Sequence, residues 1–263
     1  MANIEFRNQL KEKILNGQVT LGTFHELISP NALELEAYAG MDYLVIDTEH
    51  GAADVESTQE LIRACNLAQT TPLVRVKDGE RNSILKMLDI GAMGLIIPDI
   101  KSREEVEKII SYSKYLPLGN RGVAPSPGSH YWTQDYMKDG LQGYFDLANN
   151  NQLLLAQCET RECLEDIEAI SQIKGLDGIF VGPFDLSVSM GIAGQFSHPE
   201  FMRAIDRILK ACKDSNILSF IYVPDIKTAK THIDQGFQSI TYSMDALILH
   251  EAVKRLVDEI KNS

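Results

Sequence analysis

Several shortages in the chain each close off a class of protein. Only four cysteines occur in 263 residues: Cys65, Cys158, Cys163 and Cys212. They form no C-x-x-C pair and no zinc-type spacing, so neither a disulfide scaffold nor a structural zinc site is encoded. Four scattered thiols read as reduced cysteines of a cytoplasmic protein. Basic residues are outnumbered 25 to 37 by acidic ones, giving a formal net charge of -12. An acidic chain without basic clusters argues against nucleic acid or an anionic membrane as partner. A small anionic substrate stays possible, because a local cation outweighs the global charge. No apolar run approaches the roughly 18 residues of a membrane span. The N-terminal stretch MANIEFRNQLKEKILNG is charged and amphipathic, without a signal-peptide core. Neither G-x-G-x-x-G nor a P-loop is present, so no nucleotide cofactor is signalled.

What remains is an ordinary globular composition, 44% hydrophobic and 24% charged. Short apolar, β-rich runs alternate with helical segments: LGTF (21–24), YLVIDTE (43–49), PLVRV (72–76), GLIIPDI (94–100), LLLAQCE (153–159), GIFVGP (178–183), LSFIYV (218–223) and SITYS (239–243). Continuously apolar strands are buried on both faces. Eight of them alternating with helices predict an α/β fold, a (β/α)8 TIM barrel, in preference to an open doubly wound sheet. Residues 4–16, with Ile4, Phe6, Leu10, Ile14 and Leu15 among charges, read as a surface helix ended by Gly17. Residues 117–150 break the rhythm. They are rich in Gly, Pro and aromatics and hold the only Trp. So long a connection suggests a functional loop or an oligomer contact. ALILHEAVKRLVDEIKNS forms a C-terminal helix, and residues 1–263 are expected to be one barrel domain.

In such a barrel the chemistry lies at the C-terminal ends of the strands. The runs ending in Glu159 and Asp185 are joined by one helix-length segment, so these two carboxylates should stand side by side. Oxygen ligands with open space in front suit a hard divalent cation, Mg2+ or Mn2+, with Co2+ also admissible. Strand ends also deliver His50 and Arg75. A cation inside PLVRV needs a partner, Asp47 or Glu49, or a substrate. Cys158, beside Glu159, is read as a packing residue. Lys77 follows its strand and is expected to be solvated, which disfavours imine chemistry. A 2-keto acid could chelate the cation, with His50 acting as base directly or through a water and Arg75 stabilising an enolate. Backbone N–H groups around Phe184, Asp185 and Leu186, after a Gly182-Pro183 turn, could hold the substrate carboxylate.

The motifs Asp47-x-Glu49-His50-Gly51, Leu73-Val-Arg75, Gln157-x-Glu159-Thr160 and Gly178-Ile-Phe-Val-Gly-Pro-x-Asp185-Leu-Ser-x-Ser-Met-Gly191 resemble those of the metal-dependent (class II) pyruvate aldolases. These are the 4-hydroxy-2-oxoheptanedioate and 2-keto-3-deoxy sugar acid aldolases of the phosphoenolpyruvate/pyruvate barrel superfamily. The resemblance runs from about residue 20 to the C-terminus. It implies Glu159 and Asp185 as metal ligands, His50 on the base side, Arg75 at the enolate and Gln157 beside the metal. It further implies that Asp89 pairs with the histidine across a subunit interface. A homo-oligomer, hexamer or trimer, with a C-terminal helix exchanged between subunits, comes from the resemblance alone. The chain departs from the family after Arg121-Gly-Val, where Ala124-Pro-Ser-Pro-Gly-Ser-His130-Tyr-Trp132 alters a loop expected to meet the acceptor. Phe184 stands where a small residue is usual. Tyr222 and Thr241-Tyr-Ser-Met-Asp245 also replace smaller residues.

The expected activity is cleavage of a 4-hydroxy-2-keto acid to pyruvate and an aldehyde through the pyruvate enolate. The rivals are decarboxylation of an oxaloacetate-type keto acid on the same site and a non-catalytic keto acid-binding paralogue. The expected partners are a small keto acid and an aldehyde, with no nucleic acid and no membrane.

Overall fold

The computed structural model describes residues 5–261. Its eight strands are β1 (Thr20–His25), β2 (Tyr43–Asp47), β3 (Thr71–Arg75), β4 (Gly94–Ile97), β5 (Leu153–Cys158), β6 (Gly178–Val181), β7 (Leu218–Val223) and β8 (Ser239–Met244). All pair in parallel with their sequence neighbours, and β8 closes on β1. This is the expected (β/α)8 barrel.

Strand side chains alternate between faces, and the sorting is clean. Phe24, Val45, Leu73, Ile96, Leu155, Phe180 and Phe220 fill the barrel interior. Leu44, Ile46, Val74, Leu95, Leu154, Ile179 and Ile221 face the surrounding helices. The same alternation turns Glu26, Asp47, Arg75, Gln157, Glu159 and Tyr222 inward at the upper ends of their strands.

The outer layer holds α2 (Pro30–Tyr38), α3 (Val55–Leu67), α4 (Arg81–Ile90), α5 (Arg103–Ser113), α7 (Arg161–Glu165), α8 (Ile167–Ser171), α10 (Pro199–Ser215) and α11 (Ile226–Gln235). Local signals set their ends. Ser29, Asp54, Ser102, Thr160 and Asp225 cap helix starts through side-chain oxygens. Gly91 and Gly236 end α4 and α11 at φ 114° and 104°, where a side chain would strain the turn.

Two expectations are corrected. The N-terminal helix, α1 (Gln9–Leu15), is not a surface helix. Leu10 and Ile14 are buried with the interior residues of the strands, so α1 plugs the lower end of the barrel. Sequence periodicity shows an apolar stripe but not which surface it meets. Ile4 lies outside the described residues. Nor is 117–150 simply a long loop. It contains two 3-10 turns, Pro127–Trp132 and Asp135–Asp139, and then α6 (Gly140–Asn151). Phe6, Tyr115, Tyr144 and Ala148 bury one another there. Gly128 lies against the end of α4, where an added Cβ would meet the Leu88 carbonyl oxygen at 2.3 Å. The segment therefore packs at the lower end of its own barrel, away from the mouth, where an acceptor-facing loop was expected. Its glycines and prolines allow a close-packed layer as well as a mobile lid.

Candidate active site

Arg75 ends β3 level with Asp47 at the end of β2. Its Nε and Nη2 donate to the two carboxylate oxygens of Asp47 at 2.9 and 2.6 Å. Its Nη1 lies 3.3 Å from Glu49 Oε2. The ring of Phe24 supports the guanidinium from 4.6 Å. Burial alone would lower the pKa of Arg75, but Asp47, Glu49 and Glu159 raise it above its ordinary value. The group is thus a fixed cation whose orientation is set from behind. The structure shows the ion-pair reading of Arg75: Asp47 holds it through two nitrogens, and Nη1 is left beside Glu49.

Glu159 follows β5 and is buried. One carboxylate oxygen accepts the Asp99 backbone N–H at 2.7 Å. The other accepts the Gln157 side-chain amide. Asp99 directs its N–H there from a left-handed conformation, φ 53°, which aspartate tolerates better than most residues. At Gly182 an added Cβ would meet Glu159 Oε2 at 2.8 Å. That close approach is why a glycine suits the end of β6. Burial raises the pKa of Glu159, offset by the Asp99 and Gln157 hydrogen bonds and raised further by Glu49 and Asp185.

Asp185 lies exposed in the first turn of α9 (Pro183–Ser189). Leu186 donates its N–H to the Gly182 carbonyl at 3.0 Å, and its side chain is buried. Pro183 has no N–H. Of the backbone donors expected to hold a carboxylate, those of Phe184 and Asp185 lie in the first turn of α9, where the helix itself supplies no acceptor. His50, with a side chain 68% exposed, follows β2, and its Nε2 stands 3.9 Å from Glu49. Lys77 is exposed, as expected. Cys163 and burial push the Cys158 thiol well above its ordinary range, which agrees with a packing role.

Asp89 is not part of its own barrel's mouth. It lies near the lower end of α4, where Arg121 Nη2 donates to it at 2.9 Å, and Arg121 Nη1 reaches Gln152 at 2.7 Å. One further carboxylate, Glu26, escaped the sequence reading, and Glu49, read there only as a partner for Arg75, also turns inward by strand alternation. Glu49 has a buried oxygen without a hydrogen bond, and burial raises its pKa against the pull of Arg75 and His50. Glu26, just beyond β1, is partly buried. Strand alternation carried past each strand end would have flagged both.

The donor set fits a hard cation. Glu159 and Asp185 offer carboxylate oxygens within electrostatic reach of each other. Gln157 Oε1 is buried without a partner, an acceptor open to a water or a substrate donor. His25, Glu36 and Asp245 also lie close enough together to invite a metal reading. Their hydrogen bonds say otherwise. His25 Nε2 accepts the Ser29 N–H at 3.3 Å, so the proton sits on Nδ1, which meets Glu36 and Asp245 at 3.1 Å each. Asp245 in turn accepts the N–H groups of Glu26 and Leu27. This cluster pins the start of the C-terminal helix to β1 and α2.

Residues 20–252 match the family described as HpcH/HpaI aldolase/citrate lyase. A 5-keto-4-deoxy-D-glucarate aldolase of Escherichia coli O6:H1 is 31% identical over 261 residues, 99% of this chain and 100% of that protein. The crystal structure of an HpcH/HpaI aldolase from Desulfitobacterium hafniense DCB-2 superposes with a TM-score of 0.89 at 29% identity, covering 97% of each chain. A citrate synthase, SbnG, superposes with a TM-score of 0.86 at 30% identity, covering 97% of this chain and 98% of that one. The chain belongs to the HpcH/HpaI aldolase/citrate lyase family and, with its aldolases, to the class II, divalent-metal-dependent carbon–carbon lyases.

Proposed function

We propose that the protein cleaves a 4-hydroxy-2-keto acid of the 2-keto-3-deoxy type to pyruvate and an aldehyde. The observation that carries this reading is the preorganised pair of groups at the mouth. Arg75 is a cation fixed by Asp47, and Glu159 is a carboxylate fixed by Asp99 and Gln157. Glu159 and Asp185 would hold a divalent cation, Mg2+ or Mn2+ by the hardness of their oxygens. When bound, the cation supplies Lewis acidity to the keto acid. His50, directly or through a water, takes the proton of the C4 hydroxyl. The C3–C4 bond breaks, its electron pair passes into the enolate of pyruvate, and C3 is then reprotonated. Arg75 Nη1 stabilises the enolate oxygen as charge develops. The N–H groups at Phe184 and Asp185 position the carboxylate, Gln157 holds Glu159 and offers Oε1 to a substrate hydroxyl or a water, and Gly182 leaves room for the substrate beside Glu159.

Asp89 and the Arg121 segment serve a neighbouring subunit's site in this reading, with Asp89 facing that subunit's histidine. The C-terminal helix, α12 (Asp245–Lys261), supports an exchanged homo-oligomer, a hexamer or trimer. Only its first residue is buried, while Leu249, Val253 and Leu256 form an exposed stripe at helical spacing. Among the described residues no helix is long and apolar enough to cross a membrane. Four buried free thiols are in keeping with the cytoplasm. Neither decarboxylation nor mere keto acid binding has a feature of this mouth in its favour.

The test is pyruvate release from a 4-hydroxy-2-keto acid by the metal-loaded protein. Glu159→Ala and Asp185→Ala should each abolish it. Full release in the presence of a chelator would overturn the metal-dependent mechanism.

A further inference from the structure

The proposed residues occupy only part of the mouth. His50 and Arg75 come from β2 and β3, Glu159 and Asp185 from β5 and β6. β4, between these pairs, supplies the Asp99 N–H that holds Glu159, so around the closed barrel β7, β8 and β1 are left as the open sector. Pyruvate held between the cation ligands and Arg75 must direct the rest of the substrate there. The character of that sector therefore sets which aldehyde leaves.

Its walls are aromatic. Tyr222 stands between Phe24 and Phe184, with ring centroids 6.0 and 5.9 Å away. Above Phe24 the next inward residue is Glu26, by strand alternation. Its backbone is fixed, because its N–H donates to Asp245 at 3.0 Å. Its carboxylate is half-buried and takes no hydrogen bond or ion pair among the described residues. It lies within electrostatic reach of Arg75, His50 and Tyr222. Burial raises its pKa, and Asp47 and Asp245 raise it further, while Arg75 and His50 lower it. A half-buried carboxylate without a donor is costly, and a ligand that brings a donor relieves the cost. A ligand that brings a second anion adds repulsion.

We propose that Glu26 selects the aldehyde portion of the substrate. It would favour an uncharged polyhydroxylated or a cationic aldehyde, packed against Phe184 and Tyr222, and reject a carboxylated or phosphorylated one. This rests on the aldolase reading above. An acidic residue in this sector limits the substrate to keto acids whose only carboxylate is the one bound beside the metal ligands.

The experiment runs the metal-loaded enzyme in the condensing direction with pyruvate and a panel of aldehydes: glycolaldehyde and glyceraldehyde as uncharged, 3-aminopropanal as cationic, glyoxylate and succinic semialdehyde as anionic. Exchange of the pyruvate C3 protons by wild-type protein is measured first, without any aldehyde. Its absence would defeat the aldolase reading itself. With exchange present, wild type should show kcat/KM at least about tenfold lower for the anionic aldehydes than for the uncharged ones. Glu26→Gln should narrow that ratio about tenfold, and high salt should narrow it in wild type, since charge repulsion is screened. Exchange with equal use of anionic and uncharged aldehydes by wild type would overturn the assignment. So would a ratio left unchanged by Glu26→Gln.

Discussion

Asp47 ties the stability of the barrel to the proposed chemistry of Arg75. It is fully buried and holds Arg75 through both oxygens. Removing it leaves a buried guanidinium without its counter-ion. Asp47→Ala should destabilise the protein by about 3 to 5 kcal/mol in a denaturant titration and weaken catalysis beyond that loss. Arg75→Lys keeps the charge but not the two-pronged geometry, so it should fold and still lose most enolate formation. Glu26 offers a pH test with a definite sign. Its folded-state pKa is raised, chiefly by burial, so the folded protein binds its proton more tightly than the unfolded chain does. Its ionised form therefore subtracts stability above the ordinary carboxylate range. Asp47, Asp245, Arg75 and His50 are the charged groups acting on it. Glu26→Gln should raise the melting temperature at pH ~7, with the gain gone at pH ~3, where the side chain is protonated in both states. A gain of equal size at both pH values would contradict this. The gathering of His50, Arg75, Glu159 and Asp185 at the strand ends was legible because charged and titratable side chains directly follow apolar runs. Glu26 was not, because an acidic residue after a strand is common and only the closed barrel shows which way it faces; Glu49 was read only as a partner for Arg75, which it is.

At the scale of elements, strands were the more legible part. Their apolar runs are continuous because helices cover one face and packed side chains the other. All eight runs became strands, with ends moved by a residue or a few. Loss of the β-run pattern did not mean loss of structure in 117–150, where aromatic packing with Phe6 orders a helix and two turns. α1 carries an energetic prediction. Leu10 and Ile14 seal the lower end of the barrel, so Leu10→Ala should cost about 2 to 5 kcal/mol by chemical denaturation. A surface helix would lose far less. The contact of His25 with Glu36 and Asp245 was invisible in the sequence, since it joins residues on β1, α2 and α12 that only the barrel brings together.

For the whole molecule, the exposed stripe on α12 and the placement of Asp89 at the lower end of the barrel point the same way. A lone copy leaves apolar helix surface in water and a predicted site residue far from its own mouth. Light scattering at assay concentration should therefore give a homo-oligomer, and Leu249→Glu with Val253→Glu should reduce it to smaller species with much lower activity. A fully active monomer would remove Asp89 from any shared site. All of the proposed chemistry depends on this barrel making the enolate of pyruvate with the help of a divalent cation. Exchange of the pyruvate C3 protons in deuterated water, followed by NMR with and without Mg2+ or Mn2+, tests it most directly. Exchange should occur only with metal and be lost in Arg75→Ala; undiminished exchange in chelator, or in Arg75→Ala, would rule this chemistry out.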